Sequence, residues 1–318
     1  MGDHDQTPRR PPRRVRLTAL SAAICGAALL TAAGCGDSTS SGNADYDLVG
    51  NDVVLVSTAA SMPNTGMDGR EFIGFEAEML KQALDNLGLE YEVALSDFPG
   101  MLASVQSKRA DIGVANIAWL ESRTADGLFS DPIFYGRPVV AQTPGLGVDS
   151  VEGLKGHTVG TVSGFVSVPV LSNMEGVELR TYPDIAATLA DLDAGRIDIA
   201  LIDPLLTLYT HKTRPDLNFD VMPMTPPTTA EIEANPDLEV FGPHMIGWYL
   251  PEGGEELRDA LNEEIRAMYE NGETARLMQE HGIDAPDDLL TVSDEWQTFF
   301  TDQRHSVDRP DEWTLPLG

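Results

Sequence analysis

Two side chains have types and settings that could do recognition chemistry. Arg123, in Glu121-Ser122-Arg123-Thr124, carries a planar guanidinium fork that can grip a carboxylate through two parallel charge-assisted hydrogen bonds. The same fork could equally pair with Glu121 or Asp126 at the surface. Asp203 follows the strand-like run 197–202 and precedes Pro204. A carboxylate at a strand's C-terminal end faces the crevice where α/β sheets bind ligands. Asp before a Pro at the first helical position is also a helix start, and one residue could do both. Other chemistries lack a constellation. The six histidines are scattered, and His157, His211, His244 and His281 read as solvent-facing or capping. No His/Cys/Asp spacing suits a metal, and no cofactor is expected. There is no G-x-S-x-G elbow, Walker loop or G-x-G-x-x-G, since Gly145-Leu146-Gly147 lacks the third glycine and the following helix.

The elements that must position these residues alternate between strand and helix patterns. The run 53–56 is continuously apolar, as in a parallel strand covered on both faces. Phe75, Met79, Ala83 and Leu87 are spaced four apart, with Gly88 set to end that helix. Strands are predicted over 91–95 and 111–118, with a short helix marked by Met101, Leu102 and Val105 between them. After a break at Asp131-Pro132 and 138–147, a strand is predicted at 158–162. Asp184 then caps a helix with Ile185, Leu189 and Leu192 inward, Gly195 ends it, and a strand follows at 197–202. The segment 211–243, rich in Pro, Thr, Asp and Glu, reads as a long irregular surface excursion. Leu257, Leu261, Ile265 and Met268 mark an amphipathic helix. From Ile283 the tail carries Trp296, Phe299, Phe300 and Trp313 with little period. The fold class is therefore α/β.

The chain has 318 residues with 51 acids against 21 bases, and the excess is uneven. Residues 1–34 carry +3 and the remainder −33. So acidic a body repels phosphate backbones, which argues against nucleic-acid binding. Hydrophobic content of 42% argues for a folded core. Arginines among prolines at the start precede an apolar run over 17–30 of signal-peptide length. The run ends in Leu30-Thr31-Ala32-Ala33-Gly34-Cys35, similar to a bacterial lipobox, with Ala32 in place of the usual leucine. That likeness implies lipidation of Cys35, followed by a flexible Gly/Ser/Thr tether over 35–47; two acyl chains suffice for stable anchoring. A retained span or a simple secreted protein is the alternative, and Arg13-Arg14 leaves the export route open. The only other cysteine, Cys25, lies in the leader, so no disulfide is expected.

Six blocks in order resemble the type II periplasmic solute-binding proteins of amino-acid ABC transporters, family 3-like. They are Gly74-Phe75-Glu76-Ala77-Glu78-Met79-Leu80, Phe98-Pro99-Gly100-Met101-Leu102, Lys108-Arg109-Ala110-Asp111-Ile112, and Glu121-Ser122-Arg123-Thr124 with Phe129-Ser130-Asp131-Pro132-Ile133-Phe134-Tyr135. Leu154-Lys155-Gly156-His157-Thr158-Val159-Gly160 and Ala194-Gly195-Arg196-Ile197-Asp198 complete the set. The resemblance implies two lobes, each a central sheet flanked by helices, joined by two hinge strands near 135–141 and 246–250. It gives a first lobe over 48–138 and 246–282, a second over 139–245 and an extension over 283–318.

The resemblance also implies a site in the cleft between the lobes. Arg123 would clamp a ligand carboxylate and Asp203 would receive its ammonium group. Phe98 would cover the ligand or pack in the core; Trp119 would wall the cleft or fill the hinge. Three positions depart from the family pattern: Ala118 stands for a Ser/Thr, Gly164-Phe165 for a Gly-Thr pair, and Ser61 for an aromatic. Two hydroxyl donors and a stacking ring are thus absent, while Phe165 adds apolar surface. The expected ligand is an amino acid or amino-acid-like zwitterion, captured by an extracytoplasmic, lipid-tethered monomer for an ABC permease. A ligand-sensing receptor would use the same chemistry. Cyclohexadienyl dehydratases resemble the fold too, but abundant carboxylates are not a catalytic constellation, and no enzyme activity is expected.

Overall fold

The computed structural model describes residues 46–50, 52–283 and 287–290. The leader, Cys25, Cys35, most of the tether and the four tail aromatics lie outside the described residues. In chain order the elements begin with β1 (Val53–Ala59), β2 (Gly66–Asp68), β3 (Glu71–Ile73), α1 (Phe75–Asn86), β4 (Glu90–Ser96) and α2 (Phe98–Gln106). Then come β5 (Ile112–Val114), α3 (Glu121–Thr124), β6 (Leu128–Phe129), β7 (Phe134–Gly136), β8 (Val139–Gln142), β9 (Thr158–Val162), α4 (Val168–Asn173) and β10 (Glu178–Tyr182). The rest are α5 (Ile185–Asp193), β11 (Ile199–Ala200), α6 (Pro204–Thr213), β12 (Asp220–Pro223), α7 (Thr229–Ala234), β13 (His244–Ile246), β14 (Tyr249–Leu250), α8 (Glu255–Glu270), α9 (Glu273–Glu280) and α10 (Asp287–Leu290).

Two five-stranded sheets organise these elements. One runs β4-β1-β5-β14-β6 and the other β10-β9-β11-β8-β12. In the first, β1 lies parallel to β4 and β5; in the second, β9 lies parallel to β10 and β11. Each has its own apolar cores, and the result is the two-lobed α/β architecture expected from the sequence. The chain leaves the first sheet through β7 and β8 and returns through β13 and β14, with β7 and β13 paired between the sheets. The return was expected at 246–250. It starts earlier because Tyr249 and Leu250 are fully buried and already pair with Gly113, Phe129 and Leu128 of the first sheet.

Matching motifs do matching work in the two lobes. Asp111 accepts the Leu55 and Val49 amides, both at 2.7 Å, and so fixes the start of β1 against β5. Asp198, in the equivalent block of the second lobe, accepts the Thr158 amide at 2.8 Å and fixes β9. Elsewhere the periodicities hold closely. Asp184 caps α5 through the Ala187 amide at 2.8 Å, and Leu257, Leu261, Ile265 and Met268 are the buried face of α8. Around the Phe129-Ser130-Asp131-Pro132 block, Arg266 and Asn262 of α8 reach Asp131 at 2.7 and 2.6 Å.

Several expectations need correction. The strand read over 111–118 ends at Val114, because Asn116 turns into the left-handed region (φ 53°) that no strand tolerates. The strand over 197–202 is regular only at Ile199–Ala200. The 211–243 segment is not a surface excursion: it completes α6 and supplies β12, which pairs with β8 at the sheet edge. It also buries Phe219, Met224, Ile232 and Phe241. Those four apolar residues are too far apart to show a period among the polar ones. The tether ends sooner than expected, since Tyr46 packs on the first lobe's core. The extension adds Ile283, Leu289 and Leu290 to that core.

One glycine governs how the first lobe presents its loop to the cleft. Gly74 (φ 113°) precedes α1, and a Cβ there would sit 2.2 Å from the Asn64 carbonyl oxygen. The turn over 61–65 rests at this point, with Asn64 and Pro63 carbonyls accepting the Glu76 and Phe75 amides at 3.0 Å. Gly74→Ala is expected to destabilise the protein by about 2 kcal/mol or more. A urea midpoint that falls at unchanged slope would measure it.

Candidate functional site

Between the lobes lies a cavity of about 620 Å³, within the roughly 300–1,000 Å³ of small-ligand sites. Three helix starts contribute to its wall, those of α2, α5 and α6. Each is capped by an aspartate: Asp97 takes the Gly100 amide, Asp184 the Ala187 amide and Asp203 the Leu206 amide, all at 2.8 Å. Most of the remaining wall is apolar, from Met62, Phe98, Val162, Phe165, Ile202 and Ile246.

Arg123 lies in α3, held from behind by Tyr249, whose hydroxyl donates to its carbonyl at 2.8 Å. Arg123 is buried, with 8% of the residue exposed. Its Nη1 donates to the Ala118 carbonyl at 2.9 Å and its Nη2 to the Gly164 carbonyl at 3.2 Å. The Phe98 ring lies under the cation, 5.4 Å from centroid to Cζ. Among the residues whose side chains are described no carboxylate forms an ion pair with it, and Asp126 in particular does not supply the surface pairing left open by sequence. Burial pulls its pKa down to about 10, and it remains charged at neutral pH.

Asp203 stands at the start of α6 and lines the cavity. It caps α6 through one oxygen and turns the other to the opposite lobe. There Oδ2 accepts Ser61 Oγ at 2.9 Å, Asn64 Nδ2 at 3.3 Å and the Asn116 side-chain amide. Burial raises its pKa, while the donated hydrogen bonds pull it back. Behind Asn116 stands Glu76 of α1, which is fully buried and accepts the Asn116 backbone amide at 3.0 Å. Loss of solvent, opposed by that hydrogen bond and reinforced by the Asp203 charge, pushes Glu76 up to about 8.

Of the residues singled out from sequence, Ser61, Phe98, Ala118, Arg123, Phe165 and Asp203 line the cavity. Gly164 contributes its carbonyl to Arg123. Its left-handed backbone (φ 82°) and missing side chain let the second lobe approach Pro99 of the first. Phe165 meets Phe98 edge to face at 5.2 Å, so these rings also join the lobes. Trp119 is different: it packs in a core with Phe129, 6.1 Å away, outside the cavity wall. Filling the hinge is the role its packing fits. His244, read from sequence as solvent-facing or capping, is half-buried in the wall with Nε2 2.9 Å from the Val240 carbonyl, which fits the second of these. Asn64, Glu76 and Asn116 were not anticipated as parts of the site. The one available signal was Asn116 itself, a residue that accepts left-handed backbone, at the end of an apolar run.

The comparisons with known proteins agree with this arrangement. Residues 53–283 match the family model described as bacterial extracellular solute-binding proteins, family 3. The chain belongs to that family. Over 210 residues it is 31% identical to the L-cystine-binding protein TcyJ of Escherichia coli (strain K12), covering 65% of this chain and 73% of that protein. It is 25% identical over 262 residues to the arginine-binding extracellular protein ArtP of Bacillus subtilis (strain 168), covering 81% and 94%. The solved structure of an ancestral arginine-binding protein bound to arginine superposes with a TM-score of 0.62 at 23% identity, over 73% of this chain and 98% of that one. That likeness establishes the fold. Family 3 membership also accounts for the paired sheets and the cavity between them.

The buried acids make a prediction about stability. Glu76 is neutral in the folded protein below about pH 8 but ionised in the unfolded chain above its ordinary value of 4.5. Folding then binds a proton, and stability falls as pH rises between these limits, by at most about 1.4 kcal/mol per unit. Glu76→Gln is expected to flatten that slope in urea titrations from pH 5 to 8; an unchanged slope would assign it to other groups.

Proposed function

We infer that this family 3 protein is the solute-capturing component of an ABC importer, and that it encloses an amino acid or amino-acid-like zwitterion between its lobes. The observation that carries this reading is a guanidinium held in the cavity wall whose partners, among the described residues, are two carbonyls and an aromatic ring. A carboxylate offers such a fork a charged bidentate partner, which two backbone carbonyls do not. Asp203, at the start of α6 and in the same wall, suits the ammonium end. The apolar remainder of the wall and the cavity's size favour a ligand with a sizeable nonpolar body. Asp97 and Asp184 at the wall would tolerate a second cationic end. The names of the relatives, binding proteins for cystine and arginine, support capture rather than catalysis.

The leader supports export and a lipid anchor at Cys35 on the outer face of the membrane. That anchor, with a permease as partner, fits a tethered monomer that releases its solute at short range. If Cys35 is the anchor, labelling with a radioactive fatty acid should be lost in Cys35→Ala.

A thermal-shift panel containing the standard amino acids and L-cystine would find the solute, because a ligand that binds only the native state raises the melting temperature. With the solute that shifts it most, Arg123→Ala should weaken binding by about 2–5 kcal/mol in calorimetry, as expected for removing one partner of a buried charge pair. Affinity unchanged by that substitution would remove Arg123 from the site.

A further inference from the structure

The two lobes meet directly through a polar cluster in which one member faces no ligand. Ser61, Asn64 and Asn116 of the first lobe all donate to Asp203 of the second. Glu76 touches neither Asp203 by hydrogen bond nor the cavity wall, yet it holds the backbone of Asn116 in a left-handed conformation (φ 53°). We propose that Glu76 is the positioning residue for lobe closure: it fixes Asn116 so that the Asn116 amide can tie the first lobe to Asp203.

The distribution of donors says how it does so. Asp203 accepts four hydrogen bonds, one of them from the backbone at Leu206. Glu76 accepts one. Its second oxygen, with the side-chain oxygens of Asn64 and Asn116, is buried without a partner. The cluster therefore lacks donors, and a proton on Glu76 supplies one. Two neighbouring buried carboxylates cannot both ionise cheaply, and Asp203, with four donors, is the one that keeps its charge. Asp203 is also the charged group whose field reaches Glu76. The turn over 61–65 faces it with neutral Ser61 and Asn64, and α8 and α9 share an apolar core with α1 through Leu261, Ile265, Met268, Leu277 and Met278. Opening the lobes withdraws Asp203 while Glu76 stays buried, so opening relieves only the Asp203 charge, the least of the influences on Glu76, and by that part an ionised Glu76 favours the open form and a protonated one the closed form.

The inference rests on reading the cleft as one that closes round a solute, but its test needs no solute. A wrong ligand assignment, with Arg123→Ala harmless, would therefore leave it standing. The purified chain is compared with Glu76→Gln, Glu76→Leu and Asn116→Ala by small-angle scattering and by hydrogen exchange from pH 6 to 9.5, exchange being corrected for intrinsic rates. In the wild type, the radius of gyration should be larger and exchange at the Leu206 amide faster at pH 9.5 than at pH 6. Glu76→Gln, which keeps the acceptor for Asn116 and cannot ionise, should stay closed throughout. Glu76→Leu should be open at every pH while still melting cooperatively. If that variant fails to fold, Asn116→Ala must open the cleft, because it removes the tie and leaves Glu76 in place. A wild-type profile flat across the range, a Glu76→Gln profile that follows the wild type, or a closed Asn116→Ala would overturn the proposal.

Discussion

A carboxylate taken out of water must be met by donors or lose its charge, and Asp203 is 4% exposed. Its own lobe gives it the amides of the α6 start; every other donor comes from the first lobe. That single requirement shapes the local structure on the far side of the cleft. The turn over 61–65 must present Ser61 and Asn64 together, which Ser61 does by pairing its backbone with Thr65 at 2.9 Å. The turn must then sit against the start of α1, where only a glycine fits at position 74. Asn116 must leave its strand early to reach the same oxygen. Strand length, turn geometry and a glycine are thus consequences of where one charge is buried.

Arg123 and Gly164 form a second tie of a different kind. Here the charge belongs to the first lobe and the second offers only a carbonyl, with the Phe98 and Phe165 rings closing over it. A neutral carbonyl is a weaker partner for guanidinium than a carboxylate, so this tie can be exchanged for something better. Asp203 itself already accepts four hydrogen bonds and has less to gain. The two ends of the cleft are therefore unequal: one is set by the protein's own contacts, while the other is left to be improved by the proposed solute. A solute that binds through the second shifts the population towards closure by the difference between the two partners.

The parts of this design that were legible in the sequence are those encoded locally. Asp184 before an apolar period marks a capped helix, the 53–56 run marks a strand buried on both faces, and α8 shows its face at every turn. Arg123 was legible because its block falls in a recognisable order, and Asp203 because it follows the strand-like run 197–202 and precedes Pro204. The rest depends on distant pairing. Nothing near Asn64 or Glu76 in the chain indicates that each will face position 203 or 116, more than 35 residues away in every case. The same applies to 211–243, where β12 exists because β8, some 80 residues earlier, offers it an edge. Polar content there reflected one exposed face, not absence of structure. For Trp119 the sequence left two places open, the cleft wall beside Arg123 and the hinge interior, and its packing with Phe129 fits the second.

The net charge of −33 outside the leader bears on the ligand only through these contacts. An acidic surface attracts cations from a distance and repels anions, although salt screens both beyond about 10 Å. A simple carboxylate would approach Arg123 against that field. A zwitterion, with no net charge, is spared the repulsion and brings its own cation to the aspartates of the wall. Burial lowers the Arg123 pKa only to about 10, so the guanidinium is ionised wherever such a solute is. The acidity of the body and the buried Arg123 are therefore compatible with the proposed solute: the first discriminates against free anions in solution, and the second would give the carboxylate of a zwitterion somewhere to bind.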